Sequence, residues 1–194
     1  TGFFYDIENE DVAAQSNQTI GLRATGSFSY EGLGFNYSFS FAEQEDTSSA
    51  QANFDAGYIA GDLSTKIEKA TLGAGFEILD QGFRTPLATL HKFNGFADVF
   101  LGASNAGLPV GLKDYYVYAG YKVPVGNGIA LKAIYHDFSS ETGGNDLGTE
   151  IDLVAGYKIN KYFNVLAKYG DFDADAAGGL VDTEFFTFEV NFIY

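Results

Sequence analysis

Along most of this chain apolar and polar residues alternate one by one, and the mid-segment charges gather in the polar register. In "TIGLRATGSFSY", Ile20, Leu22, Ala24, Gly26, Phe28 and Tyr30 form one row against Thr19, Gly21, Arg23, Thr25, Ser27 and Ser29. "GFNYSFSF", "GIALKAIYHDF", "GTEIDLVAGYKIN" and "YFNVLAKYGD" repeat the pattern. The closing "EFFTFEVNFIY" sets Phe186, Phe188, Val190, Phe192 and Tyr194 against Thr187, Glu189 and Asn191. A period of two is the signature of a β-strand with unlike faces.

The rows are not those of a soluble sandwich, whose exposed face is strongly charged and whose apolar face is hidden. Here the polar rows are mostly Gly, Ser, Thr and Asn, and the opposite rows carry almost no charge. The charges read into the polar register are Arg23, Asp55, Lys69, Glu77, Lys122, Lys132, Glu150, Asp152, Lys158, Lys168 and Glu189, with His136 in the row of Lys132. A charge on a lipid-facing surface near the bilayer midplane costs about 2–4 kcal/mol, so that face must be cleared of them. Backbone groups cannot stay unpaired in hydrocarbon, so the sheet must also close.

About ten such segments can be read, each near the length of roughly 9–11 residues that crosses a bilayer as tilted strand. They centre on Phe4, Ala24, Ser38, Ala56, Gly73, Tyr118, Ala133, Val154, Leu166 and Phe188. Short links ("YEGLG", "PVGNG", "INKY" and one around Asp62 to Ser64) alternate with long ones. Alternation of this kind puts short turns at one rim and long loops at the other, the layout of an outer-membrane barrel. Tyr30, Tyr37, Tyr58, Tyr121, Tyr135, Tyr157 and Tyr169 suit the interfacial girdles of such a barrel. The expected fold is all-β: a transmembrane antiparallel up-and-down β-barrel, one domain over residues 1–194, with a long external loop at 80–114.

Composition agrees. Gly (24), Phe (19) and Tyr (13) are abundant and Pro (3) is scarce, which favours strands and tight turns. Mean hydropathy is only -0.05, and no apolar run reaches the roughly 18 residues of a membrane helix. Cys is absent, which excludes thiol chemistry and disulfides. A net charge of -15 argues against nucleic acid as a partner. The chain opens without Met or an apolar leader, so any export signal is expected to have been removed.

The stretch "FRTPLATLHKFNGFADVFL" (Phe83 to Leu101) resembles a segment of the alginate-export-type porin family of proteobacteria. The likeness continues through "LKAIYHDFSSE", "GTEIDLVAGYKINKYFNVLAKYGDFDAD" and the last strand. Phe96 stands where the family usually has Trp, and Val99 where it has Lys. The family's chains are longer, so this one corresponds to a C-terminal portion. The resemblance implies a place in the bacterial outer membrane and passive passage of small solutes, anionic ones among them. Phe188, Val190, Phe192 and the final Tyr194 are similar to the C-terminal signal read by the outer-membrane assembly machinery.

Several groups are candidates for function. The link from Asp80 to Asp114 is far longer than usual connections and carries Arg84, His91, Lys92 and Lys113 against Asp98. It could fold into the lumen as a constriction, with Arg84, His91 and Lys92 setting ion preference, or lie outside as a lid. The lumen row is expected to be a network in which Lys, Arg, Asp and Glu pair with one another, since buried charges need partners; the other reading is a basic ladder for anions. Asp171, Asp173 and Asp175 alternate as calcium ligands can, but the loop lacks the glycine directly after the third acid and the distal Glu, so a solvated acidic loop is expected and no metal or other cofactor is assigned. "HDFSS" (His136 to Ser140) brings His, Asp and Ser close in sequence, but strand alternation sends His136 and Asp137 to opposite faces, and no enzyme activity is expected.

The reading is therefore a porin-like outer-membrane channel, its partners being outer-membrane lipids and lipopolysaccharide, the assembly machinery and small solutes. The alternatives are a structural or engineered barrel that conducts nothing, and the C-terminal part of a larger barrel.

Overall fold

A computed structural model describes residues 1–47, 55–86, 88–101, 108–176 and 178–193. Ten strands form one sheet: β1 (Gly2–Ile7), β2 (Asn17–Tyr30), β3 (Leu33–Asp46), β4 (Asp55–Ile67), β5 (Ala70–Leu79), β6 (Leu112–Val123), β7 (Ile129–Ser139), β8 (Asp146–Lys158), β9 (Phe163–Ala174) and β10 (Thr183–Phe192). They lie in sequence order, each antiparallel to the next. Among the described residues no ladder joins β1 to β10.

The tightest links follow from backbone chirality. Tyr30 pairs with Leu33 across Glu31 and Gly32, both at positive φ (49° and 82°). Two left-handed residues match the twist of the flanking strands. Ile67 pairs with Ala70 across Glu68 and Lys69, with Glu68 at φ 54°. The expected link at Asp62 to Ser64 is thus strand, and the turn falls at Glu68–Lys69. Polar residues looking inward from a strand read, in one dimension, like a loop.

Register decides which row looks where. Arg23 pairs with Ser40, Ser40 with Ala60, Ala60 with Glu77 and Glu77 with Asp114, so these side chains share one face. The described part of the long link folds onto that face. Phe83, Phe100 and Leu108 pack there against Leu79, Leu112, Phe138, Leu147 and Phe172. The other face carries Ile20, Leu22, Phe39, Phe41, Leu131, Leu153, Phe188 and Val190, all exposed; Phe188 is 60% accessible while inward Asp152 is 0%. Polarity is inverted relative to a water-soluble fold, and an exposed apolar surface of this extent demands a partner. Hydrocarbon is that partner for a strand-built membrane protein.

Above the apolar rows, at the rim of the long links, the outer face turns acidic. Glu45 stands directly opposite Asp55, and Asp171 opposite Glu184. Asp55 therefore faces outward at the start of β4, a correction to its assignment in the lumen row. Lys69 lies in the β4–β5 turn rather than mid-strand. Tyr58 belongs to the inner face and not to a girdle, since it pairs with Ala42 in the inward register.

The two faces respond differently to the same substitution. In lipid vesicles, Phe39→Arg is expected to lose about 2–4 kcal/mol of unfolding free energy. Ser38→Arg, one residue away and opposite inward Asp62, is expected to stay within about 1 kcal/mol of the parent. Denaturant titration of the refolded protein measures both.

Candidate functional site

The inner face gathers acids that the strands alone leave without enough donors. Glu77 on β5 accepts the Tyr58 hydroxyl at 2.6 Å and the Asn94 amide at 2.8 Å. Asp114 on β6 lies 2.8 Å from His136 Nδ1, and His136 Nε2 lies 3.5 Å from Asp152 Oδ2. Glu150, opposite His136 on β8, is 1% exposed. Asp62 on β4 accepts the hydroxyls of Tyr116 (3.3 Å) and Tyr118 (3.1 Å).

The long link supplies the remaining donors. The Ala97 N–H donates to Glu150 Oε1 at 2.8 Å, and the Phe96 N–H to Asp152 Oδ1 at 3.3 Å. Lys168 on β9 donates to the His91 carbonyl at 2.9 Å and sits 5.1 Å from the Phe96 ring centre. The His91 ring stacks on Phe185 of β10 at 3.8 Å, with its Nδ1 2.7 Å from Asp98 Oδ2. The segment His91–Asp98 is thereby fastened to five strands: β5, β8, β9 and β10 directly, and β4 through Glu77 and Tyr58.

Two glycines make room for this. Gly95 takes φ 85°, and a Cβ there would meet Glu150 Oε2. Gly170, opposite Asp152, leaves a niche: a Cβ would lie 2.9 Å from Glu150 Oε1, 3.0 Å from Asp152 Oδ1 and 3.1 Å from the Ala97 nitrogen. Both carboxylates and the link backbone converge over that one position.

The described part of the link is thus folded inward, not held outside as the external loop expected over residues 80–114. Arg84 is buried, its N–H donating to Gln44 Oε1 at 2.8 Å and its carbonyl accepting Gln44 Nε2 at 2.9 Å. Lys92 is exposed, its ammonium 4.9 Å from the neighbouring Phe93 ring. Between the link and the inner wall of β1 to β5 lies a cavity of about 810 Å³, lined by Phe3, Tyr5, Arg23, Tyr58, Glu77 and Phe93 among others.

Of the remaining lumen candidates, Lys122, Lys132, Lys158, Lys168 and Glu189 keep the inward register with Arg23, Glu77, His136, Glu150 and Asp152. Among the described residues no Lys–carboxylate pair lies at contact distance. The partners of these acids are hydroxyls, an amide, an imidazole and backbone N–H groups, while the Lys132 ammonium sits 4.1 Å from the Tyr118 ring centre. Phe188, Val190 and Phe192 face outward and are exposed; Tyr194 lies outside the described residues. Asp171 and Asp173 are on the outer register of β9 and Asp175 follows it. Among the described residues no group of three or more His, Asp or Glu is arranged to hold a metal. His136 is inward and engaged, Asp137 outward, and Ser140 Oγ accepts the Asn145 N–H at 2.9 Å. Tyr58, Asp62, Asn94 and Asp114 escaped the sequence reading. For Asp62 and Asp114 the even register of their strands was the available signal.

No family model matches the chain, and no curated protein matches it either, so the alginate-export resemblance finds no support there. Solved structures do match in fold. OprD, the outer membrane protein from Pseudomonas aeruginosa, is 16% identical at a TM-score of 0.68, over 98% of this chain and 55% of that one. OccAB2 of Acinetobacter baumannii is 15% identical at a TM-score of 0.69, over 99% and 50%. OccK2 of Pseudomonas aeruginosa, solved in complex with glucuronate, is 12% identical at a TM-score of 0.60, over 100% and 54%. The chain spans about half the length of these structures. At such identities they fix the architecture: an antiparallel up-and-down sheet of the outer-membrane porin kind.

The Gly170 niche gives a test of the fastening. Gly170→Val is expected to lift the link off β8 at a cost of about 1–3 kcal/mol. Tryptic cleavage after Arg84, buried in the parent, would then accelerate by about tenfold or more; gel analysis over time reads it.

Proposed function

We propose that this chain forms part of the wall and the constriction of an outer-membrane porin through which small solutes diffuse passively. The observation that carries the reading is the described part of the long link folded onto the inner face, leaving a partly open cavity of about 810 Å³ between itself and β1 to β5. A non-conducting scaffold has no need to keep such a passage open beside its filler. Ten strands closed alone would leave little room, whereas 16–18 leave an aqueous channel. The half-length overlap with the matched structures fits a chain that contributes roughly half of such a wall.

Small anionic solutes are the class we favour. Arg23, Lys122, Lys132, Lys158 and Lys168 share the inward register, and rings of basic side chains select anions. The described contacts of Lys132 and Lys168 are to an aromatic ring and to a backbone carbonyl, so neither ammonium is tied up in a contact ion pair with a wall acid. OccK2 was solved with a sugar acid. The sequence likeness to the alginate-export family implies passage of small solutes, anionic ones among them.

Planar-bilayer recording of the refolded barrel that contains this chain as part of its wall tests it. Steady current steps with an anion-directed reversal potential in a salt gradient are expected. Lys132→Glu and Lys168→Glu should each lower the anion-to-cation permeability ratio several-fold. Electrical silence from protein that migrates heat-modifiably, and is therefore folded, would leave the scaffold reading in its place.

A further inference from the structure

We propose that Tyr116 and Tyr118 form an aromatic shelf on the wall of the passage, where an anion that carries a ring binds better than an open-chain anion of similar size. This rests on reading the inner face as a solute passage, and it adds a preference for shape to the preference for charge. Side chains on a strand ordinarily stand out from the sheet. These two run along it. Both are inward residues of β6, Tyr116 opposite Gly75 and Tyr118 opposite Gly73 of β5. A Cβ at Gly73 would meet the Tyr118 ring, and one at Gly75 the Tyr116 hydroxyl. With no side chain on β5 in the way, both hydroxyls pass over that strand and donate to one carboxylate on β4. Tyr118 reaches Asp62 Oδ1 at 3.1 Å and Tyr116 reaches Asp62 Oδ2 at 3.3 Å. Neighbouring strands are about 4.8 Å apart, so a side chain that spans from β6 to β4 has its long axis against the wall. The two rings are 6.3 Å apart and inclined by only 26°.

Rings laid over glycines also occur on the outer face, where Tyr37 covers Gly26 and Phe76 covers Gly61. There the arrangement is packing of the sheet and nothing more. The inner pair differs in three ways. Two rings stand in tandem, both hydroxyls are held by one carboxylate, and the rings stay half-exposed toward the interior. Their height on the wall matters as well. Glu77 and Asp114 pair with each other, and Glu77 is where Asn94 fastens the link. Tyr116 and Tyr118 lie on the short-turn side of that level, so a solute that clears the link comes upon them next.

Lys132 of β7 supplies the charge. It lies opposite Gly120, is exposed, and holds its ammonium over the Tyr118 ring, 4.1 Å from the centre. A cation resting on an exposed ring is held weakly and swings away on a flexible stem. An arriving anion draws the ammonium onto itself, and a ring on that anion takes the vacated face of the tyrosine. Stacking then returns what the cation–ring contact gave up. An open-chain anion gains the charge contact alone, and it loses torsional freedom when it lies down against the wall. A ring has no such freedom to lose.

Saturation-transfer NMR in detergent micelles, on the refolded barrel that contains this chain as part of its wall, reads the shelf with two matched pairs of probes. Glucuronate is set against gluconate, and benzoate against hexanoate. Within each pair the charge is equal and the size similar, and one member is a ring. The ring member is expected to bind about two- to tenfold more tightly in at least one pair. Which pair shows it tells a hydroxylated ring from an aromatic one. Tyr118→Phe is expected to keep the preference, and Tyr118→Leu, which covers Gly73 without a ring, to abolish it. Should Tyr118→Leu not fold, Gly73→Ala tips the ring off the wall and is expected to act in the same way. Equal binding within both pairs, or a folded Tyr118→Leu barrel with its parent's preference, overturns the proposal. The micelle measurement needs no current. Ring preference in a barrel that is silent in planar bilayers keeps the shelf and removes the passage, whereas conduction without ring preference removes the shelf alone.

Discussion

Hydrocarbon offers no hydrogen bonds, and that one constraint organises the molecule. Nine antiparallel ladders pair the backbone between β1 and β10, and among the described residues only the outer edges of those two strands are left without one. The same constraint drives charge off the outer face between the rims, so polarity collects inside. A water-soluble sheet of this sequence would carry Phe39, Leu153 and Phe188 against an apolar core; here those side chains are exposed and the acids are buried.

Concentrating acids on an inner wall creates a second demand, because strand partners supply few donors at the right height. The long link answers it with main-chain N–H groups, an Asn side chain and one Lys-bonded carbonyl. Filling the interior and defining its free cross-section are then the same event. Where the link meets the wall, glycine matters at two places: Gly95 for its left-handed turn and Gly170 for the space beneath two carboxylates.

Much of the architecture was readable from period alone. Ten alternating segments, short and long links in turn, and the inward row from Arg23 to Glu189 all follow from a pattern that a bilayer enforces over the whole chain. The failures are local. Asp55 sits at a strand end, where lipid no longer disciplines the register, and so its face could not be inferred from its charge. Asp62 to Ser64 resembles a turn because lumen-facing strand and loop share a composition. The fate of the long link was not legible, since it depends on Glu150 and Asp152 accepting N–H groups more than fifty residues away in sequence. Periodicity has no term for such a partner. It equally gave no reason to expect that lysines would rest on rings and carbonyls while a histidine held the aspartates.

The facing carboxylates at the long-link rim, Glu45 with Asp55 and Asp171 with Glu184, mark a depth as well as a charge. On β3 the outer row is apolar from Leu33 to Phe41 and acidic from Glu43. At about 3.3 Å per residue, with strands tilted by roughly 40°, that stretch climbs only some 20–25 Å through a membrane. Like charges opposite one another cannot be drawn into oil to compensate for a thicker slab. The protein therefore carries its own gauge: it is fitted to a thin leaflet pair, and in longer-tailed lipid the surrounding bilayer, rather than the sheet, has to give way.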